Sequence, residues 1–263
     1  MDYFLMSPLV SRGYVYATTG EGYTNLARRS ARNLRQVMPN AQIDLFTDQN
    51  ITDPVFNQIH ALERVSHRPK MEAMRRSRFR RTVMLDADAF PIVPVNDLFD
   101  LAGLYDLAAT STFIRPWAVY GAQKHIPRAF PYLNAGVLAF RKTPHIIALA
   151  TAWEKAVLDH NQPIDQPALR ELIFSMKTRF MVLPREYNLI YLKSLDHWPA
   201  IFGIPRILHV RDLHDRPMGD PEQPIGLVEA LGETHAATVQ AMLDAKHAAK
   251  VAKAAKVASQ GTP

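Results

Sequence analysis

The sequence predicts an α/β fold built on a mostly parallel central sheet, and three observations carry the prediction. Short apolar strands alternate with segments of helical spacing along the chain. No internal repeat interrupts the alternation. Polar residues collect at the ends of the apolar runs, where a parallel sheet opens its binding crevice.

Tyr14–Thr18 reads as the first strand, Gly20-Glu21-Gly22 as a loop, and Asn25–Val37 as a helix closed by Pro39-Asn40. Ile43–Thr47 is the second strand. A basic helix is expected from about Pro69 to Arg80, leading into the strand Val83–Leu85. Further strands are expected at Leu107–Thr110, Val137–Phe140, Met181–Leu183 and Ile207–Val210, with helices at Asp97–Leu104, Ile146–Leu158 and Gln166–Phe174. Phe113–Tyr132, which mixes prolines, aromatics and basic groups, is expected as an irregular lid. One domain is therefore expected over 1–220. Beyond it, 221–263 is expected to be a linker containing proline followed by an Ala/Lys-rich helix over Glu233–Ser259.

Composition narrows the function. The chain has 263 residues, 48% of them hydrophobic, and this is enough for a substantial core. It has no cysteine, which removes disulfides, thiolate metal sites and thiol nucleophiles and fits a reducing compartment. The N-terminus shows no secretory pattern and no apolar run is long enough to span a bilayer, so a cytoplasmic location is expected. The net charge of +6 is uneven: Lys70–Arg81 and the tail from Lys246 onward are basic. Each stretch is either an anion-attracting patch or a solvated helix face.

The chemistry concentrates in Leu85-Asp86-Ala87-Asp88. A buried strand cannot hold two unpaired carboxylates, so Asp86 and Asp88 belong at its exit. Residues i and i+2 of an extended chain point the same way, so both can face one hard cation such as Mn²⁺ or Mg²⁺.

Taken in order, further segments resemble glycosyltransferases of the GT-A fold, in particular glycogenin and the bacterial lipooligosaccharide galactosyltransferases. These segments are Ala17-Thr18-Thr19 with Tyr23, Phe46-Thr47-Asp48, Leu85-Asp86-Ala87-Asp88, Asn134-Ala135-Gly136-Val137, Asp165-Gln166-Pro167-Ala168-Leu169, Leu183-Pro184 with Tyr187-Asn188, and Leu208-His209. The resemblance covers about residues 12–212. It implies a metal-dependent transfer of sugar from a nucleoside-diphosphate sugar, by default a UDP-sugar, to a saccharide or glycoconjugate acceptor.

The resemblance assigns the metal to Asp86, Asp88 and His209. It places Ala17, Thr18, Thr19, Tyr23 and Asp48 at the base and ribose, with Lys70, Ala87 and Arg211 toward the diphosphate. Asn134, Ala135 and Gly136 line the sugar pocket, and Asp165 and Gln166 lie beside the anomeric carbon. Gln166 is too weak a base or nucleophile for ordinary inversion or double displacement, which favours a retaining reaction. Plainer readings stand beside these. His209 could be a hydrogen-bonded structural histidine, Thr18, Thr19 and Asp48 could cap strand ends, and Tyr23 could simply pack. Lys70 could be an ordinary surface lysine, Asn134 and Gly136 a tight strand start, and Asp165 a helix cap.

One departure stands out. Where the family continues from its histidine to a diphosphate-gripping lysine, this chain has His209-Val210-Arg211-Asp212-Leu213-His214-Asp215-Arg216-Pro217, leaving Arg211, His214 or Arg216 to substitute. Two other functions compete. A sugar-nucleotide-forming nucleotidyltransferase would need a longer glycine-rich loop than Gly20-Glu21-Gly22, and a nucleic-acid or other anion binder would rely on the basic stretches without a recognised motif. Acceptor contacts are expected from Phe113–Tyr132 and Leu192–Ile204, with Trp117, Tyr120, Tyr132 and Trp198 available to stack on sugars or fill a core. Lys246, Lys250 and Lys253 could rest on an anionic membrane.

Overall fold

Alternation within β1 (Val10–Thr18) sends Tyr14 and Tyr16 to one face of the sheet and Val15 to the other, and all three are buried. The same split recurs in β2 (Ile43–Thr47) and in β4 (Phe79–Leu85), so each strand supplies both cores. The computed structural model describes residues 10–112, 123, 125–159, 164–198 and 200–260. The remaining strands are β3 (Gln58–Ala61), β5 (Ala89–Pro91), β6 (Leu107–Thr110), β7 (Val137–Arg141), β8 (Phe180–Leu183) and β9 (Ile207–His209). The helices are α1 (Glu21–Val37), α2 (Lys70–Arg76), α3 (Leu98–Leu104), α4 (Pro144–Asp159), α5 (Gln166–Ser175) and α6 (Leu227–Gln260).

The central sheet runs in the order β3-β2-β1-β4-β7-β6-β8. Within it β7 alone runs against its neighbours β4 and β6, so the sheet is mostly parallel, as expected. One core contains residues of α1, α3 and α6. The other contains residues of α2, α4 and α5, including the fully buried Trp153.

Four expectations are corrected. Gly20-Glu21-Gly22 is not a loop of three residues: Gly20 alone takes a left-handed backbone (φ 85°), and α1 starts at Glu21. The basic helix ends at Arg76, because the next residues enter β4, where Phe79 and Arg81 pair with Val10 and Arg12. The basic stretch is not simply a solvated helix face, because Arg75 pairs with Glu154, Arg76 with Glu72, and Arg78, beyond the helix, with Asp44. Finally, β9 is outside the central sheet and pairs antiparallel with β5, a strand too short and proline-containing to be read from sequence.

Within the expected lid, residues 113–122 and 124 lie outside the described residues, and Trp117 and Tyr120 with them. Tyr132, at its end, is buried. Farther on, residues 221–243 pack onto the domain. Asn33 exchanges hydrogen bonds with the Ile225 backbone (2.9 and 2.8 Å), and Arg29 grips Glu229 with two 2.6 Å bonds. α6 kinks at Gly232 (φ 74°), beyond which Ala236 and Val239 are buried in the first core.

At Gly13 the Phe79 ring fills the space a side chain would take: an added Cβ would lie 2.3–2.6 Å from three ring carbons. Overpacking of this kind costs about 1–3 kcal/mol. Gly13→Ala is therefore expected to lower the melting temperature by roughly 2–12 °C, and adding Phe79→Leu should restore part of the loss. An unchanged melting temperature would show that the ring is not wedged there.

Candidate active site

β4 ends at Leu85, and the chain turns at once, with Ala89 N–H donating to the Asp86 carbonyl at 3.0 Å. Asp86 is half-buried and Asp88 almost fully buried. The same turn starts β5, whose Ala89 is the register partner of His209 on β9. This pairing carries a residue from late in the chain onto the carboxylates. Ligand atoms of Asp86, Asp88 and His209 all lie within 4.8 Å of one another.

His209 Nε2 is 3.3 Å from Asp88 Oδ1, and His214 Nε2 is 2.6 Å from Asp88 Oδ2. Burial opposes ionisation of Asp88, but the charge of His209 and the bonds from both histidines hold its carboxyl far below the usual range. Burial likewise disfavours a charged His209, and the facing Asp88 carboxylate outweighs it, so the imidazole's pKa is raised.

Because β7 is antiparallel, its N-terminal end meets the C-terminal end of β4: Asp86 N–H donates to the Gly136 carbonyl at 2.8 Å. Asn134, Ala135 and Gly136 are therefore brought to the carboxylates from the start of a strand. The Asn134 side-chain oxygen accepts from Gly136 N–H (2.8 Å) and from Asn188 Nδ2 (2.7 Å), so that oxygen is held internally rather than turned to a ligand.

Lys70, at the first turn of α2, is buried and not an ordinary surface lysine. Its ammonium donates to Asp86 Oδ1 (2.8 Å) and the Ala135 carbonyl (3.2 Å) and lies 3.4 Å from Asp165 Oδ2. Burial works against that charge, yet Asp165 and Asp86 reverse the effect and raise the Lys70 pKa. Asp165 precedes α5 but makes no side-chain cap. Its buried Oδ2 has no hydrogen-bond partner, and its backbone carbonyl accepts from Trp153 Nε1 at 2.7 Å. Gln166 follows, half-buried, at the first position of α5.

The residues expected around the base divide. Thr18 is buried in a hydroxyl chain through Thr24 to Thr47 (2.9 and 2.8 Å), and Thr19 donates to the Ser66 carbonyl at 2.7 Å. Asp48 accepts from Gly20 N–H at 2.8 Å, tying the end of β2 to the start of α1. Ala17 is half-buried and packs against the second core. Tyr23 is 49% exposed, with its ring 4.6 Å from that of His214. Arg211 is exposed beside a cleft of about 630 Å³, lined also by Tyr23, Lys193, His209 and His214. Arg216 instead donates to the Glu229 carbonyl.

The sequence reading did not bring two residues to Asp88 and His209. Asn188 belongs to a matched segment, but its partner His209 lies 21 residues away. His214 was one of three replacements for the absent lysine, with nothing in the spacing to join it to Asp88.

Solved structures share this arrangement of strands. The chain superposes on the galactosyltransferase LgtC in complex with donor and acceptor sugar analogs (TM-score 0.54, 13% identity, 75% of this chain and 86% of that one). It superposes on an active-site mutant of LgtC with TM-score 0.57 and 12% identity over 89% and 95% of the two chains. The fold is GT-A. The glycosyltransferase GlyE of Streptococcus pneumoniae TIGR4 also matches (TM-score 0.52, 18% identity, 76% of this chain), and there the chain spans about half of the longer protein, 55%. No protein-family profile and no curated protein sequence matches it. In the GT-A frame the crevice at the carboxyl end of the parallel strands is where Asp86, Asp88 and His209 converge.

A Cβ at Gly136 would fall 2.3 Å from His209 Cε1 and 2.5 Å from its Nδ1. Gly136→Ala is thus expected to displace the imidazole from Asp88 while the fold survives, and the His209 ring resonances should shift in NMR. Unshifted His209 resonances would show that the ring is not pressed against Gly136.

Proposed function

We propose that this protein is a metal-dependent glycosyltransferase that moves a sugar from a nucleoside-diphosphate sugar, with UDP as the default carrier, to a saccharide or glycoconjugate acceptor. The reading rests on one observation above the rest. The Asp86, Asp88 and His209 donor set is joined through the buried Lys70 ammonium to Asp165, whose Oδ2 pairs with that ammonium at 3.4 Å and has no hydrogen-bond partner.

Two carboxylates and an imidazole suit Mn²⁺ or Mg²⁺, and the three ligand atoms are close enough to share one ion. A divalent cation bound there supplies positive charge against the negative charge that develops on a departing diphosphate. The protein's own groups supply the rest. Arg211 and Lys193 face the cleft and offer further cationic donors to phosphate oxygens, with His214 beside them. Asp165 Oδ2 offers a buried acceptor to a sugar hydroxyl, with Lys70 fixing its position. Asn134 keeps its amide nitrogen available beside the sugar pocket while its oxygen is held internally. Gln166 orients by hydrogen bonding rather than proton transfer, so the reaction retains configuration and a donor phosphate oxygen takes the acceptor proton. Tyr23 presents an open ring face for a base to stack on.

A screen of nucleotide-sugars for metal-dependent hydrolysis tests the proposal, with UDP-sugars expected to lead. Asp88→Asn should lower turnover by about 10²–10⁴-fold, mainly in kcat, and His209→Ala should weaken manganese–nucleotide binding. Full activity in excess EDTA would reject the metal-dependent mechanism.

We also propose a cytoplasmic location with peripheral contact to anionic membrane through the outer half of α6, where Lys246, Lys250 and Lys253 are exposed. Each lysine contributes about 1 kcal/mol near an anionic surface, giving weak, salt-sensitive attachment. Truncation must fall after Asp244 rather than Gly232, because Ala236 and Val239 are buried. The truncated protein should sediment less with anionic vesicles at low salt and keep its nucleotide binding. Equal sedimentation of both forms would exclude the contact.

A further inference from the structure

Behind His209 lies a row of polar side chains directed away from the cleft. His209 Nδ1 is 2.8 Å from Asn188 Oδ1; Asn188 Nδ2 is 2.7 Å from Asn134 Oδ1; and Asn134 Oδ1 is 2.8 Å from the backbone nitrogen of Gly136. All four residues lie in the buried floor of the site. Asn188 is itself fixed by the backbone: the adjacent Leu189 N–H donates to the Ile207 carbonyl (2.9 Å), and His209 N–H donates to the Leu189 carbonyl (3.0 Å).

The direction of this row follows from its last member. A backbone N–H can only donate, so the Asn134 atom facing Gly136 is the carbonyl oxygen. That oxygen can only accept, so Asn188 presents its NH₂ to it. The other Asn188 atom is then its oxygen, and it faces His209 Nδ1. Nδ1 must therefore carry a hydrogen, whether the ring is neutral or charged. Both amide orientations are thus fixed by a backbone N–H.

We infer that Asn188 and Asn134 are positioning residues that lock His209 with Nδ1–H, leaving Nε2, the nitrogen that faces Asp88, as the one that can bind a cation. The inference rests on the metal reading above and assigns Asn134 a role besides lining a sugar pocket. Without Asn188 the imidazole could rotate or take the opposite tautomer, with Nε2–H pointing at the carboxylates. Support of this kind for a ligating histidine is commonly worth about 10–100-fold in metal affinity.

The test is titration of the folded, metal-free protein with Mn²⁺ alone, followed by electron paramagnetic resonance, with melting temperature measured beside it. Asn188→Leu, which keeps the branching of the side chain and removes the acceptor, should weaken Mn²⁺ binding about 10–100-fold, and Asn134→Leu should weaken it in the same direction. In a His209→Ala background, Asn188→Leu should cause no further loss, because the residue acts through the imidazole. Additive losses in the double variant, or a lower melting temperature with unchanged Mn²⁺ affinity, would assign Asn188 to packing alone and overturn the inference. A parent protein that does not bind Mn²⁺ would overturn the metal reading and this inference with it.

Discussion

The site depends on one short pairing, β5 with β9. Asp88 leaves the central sheet at the end of β4, while His209 sits on a strand that belongs to no part of that sheet. The register Ala89↔His209 and the Val210 N–H bond to the Asp88 carbonyl (2.9 Å) close the gap between them. Three β5 residues thus decide whether a carboxylate and an imidazole separated by over a hundred positions meet. α1 braces the same strand, as Ser30 donates to the Ala89 carbonyl at 2.8 Å.

A second constraint is the reversed strand β7. In an all-parallel sheet the residues preceding β7 would emerge at the opposite edge from Asp86. Reversal places Asn134–Gly136 against the end of β4 and makes close approach necessary, because His209 occupies the space above Gly136. Lys70 then spans from Asp86 to Asp165, joining the carboxylate turn to the start of α5. The site is therefore assembled from chain segments far apart in sequence, held together by α2, β4, β7 and α5.

The sequence made much of this legible because local pattern and global fold agree along most of the chain. The short runs Tyr14–Thr18 and Ile43–Thr47, helical spacing before Pro39, and a double carboxylate after an apolar run are all local signals. What escaped was set at long range. Phe79 reads as part of a basic helix until its burial over Gly13 is seen. The hydroxyls of Thr18 and Thr24 meet only when α1 folds back on β1. The plainer reading of Asp165 as a helix cap fails, because its carboxylate makes no cap and reaches Lys70 instead, a contact that spacing does not show. Likewise Ala236 and Val239 lie in a segment that reads as an Ala/Lys-rich tail, because their core partners stand far back in the chain.

Lys70 has a consequence for how the protein exists without a cation. Its buried ammonium lies against Asp86 and Asp165, and His209 and His214 lie against Asp88. The carboxylates that converge on the cleft thus carry their own internal counter-charges, so their mutual repulsion is already relieved within the polypeptide. Unlike a zinc finger, whose ligands need the ion in order to fold, this cluster has its carboxylates offset from within, so a cation held there would exchange charges on a finished scaffold and its departure would leave the surrounding architecture intact.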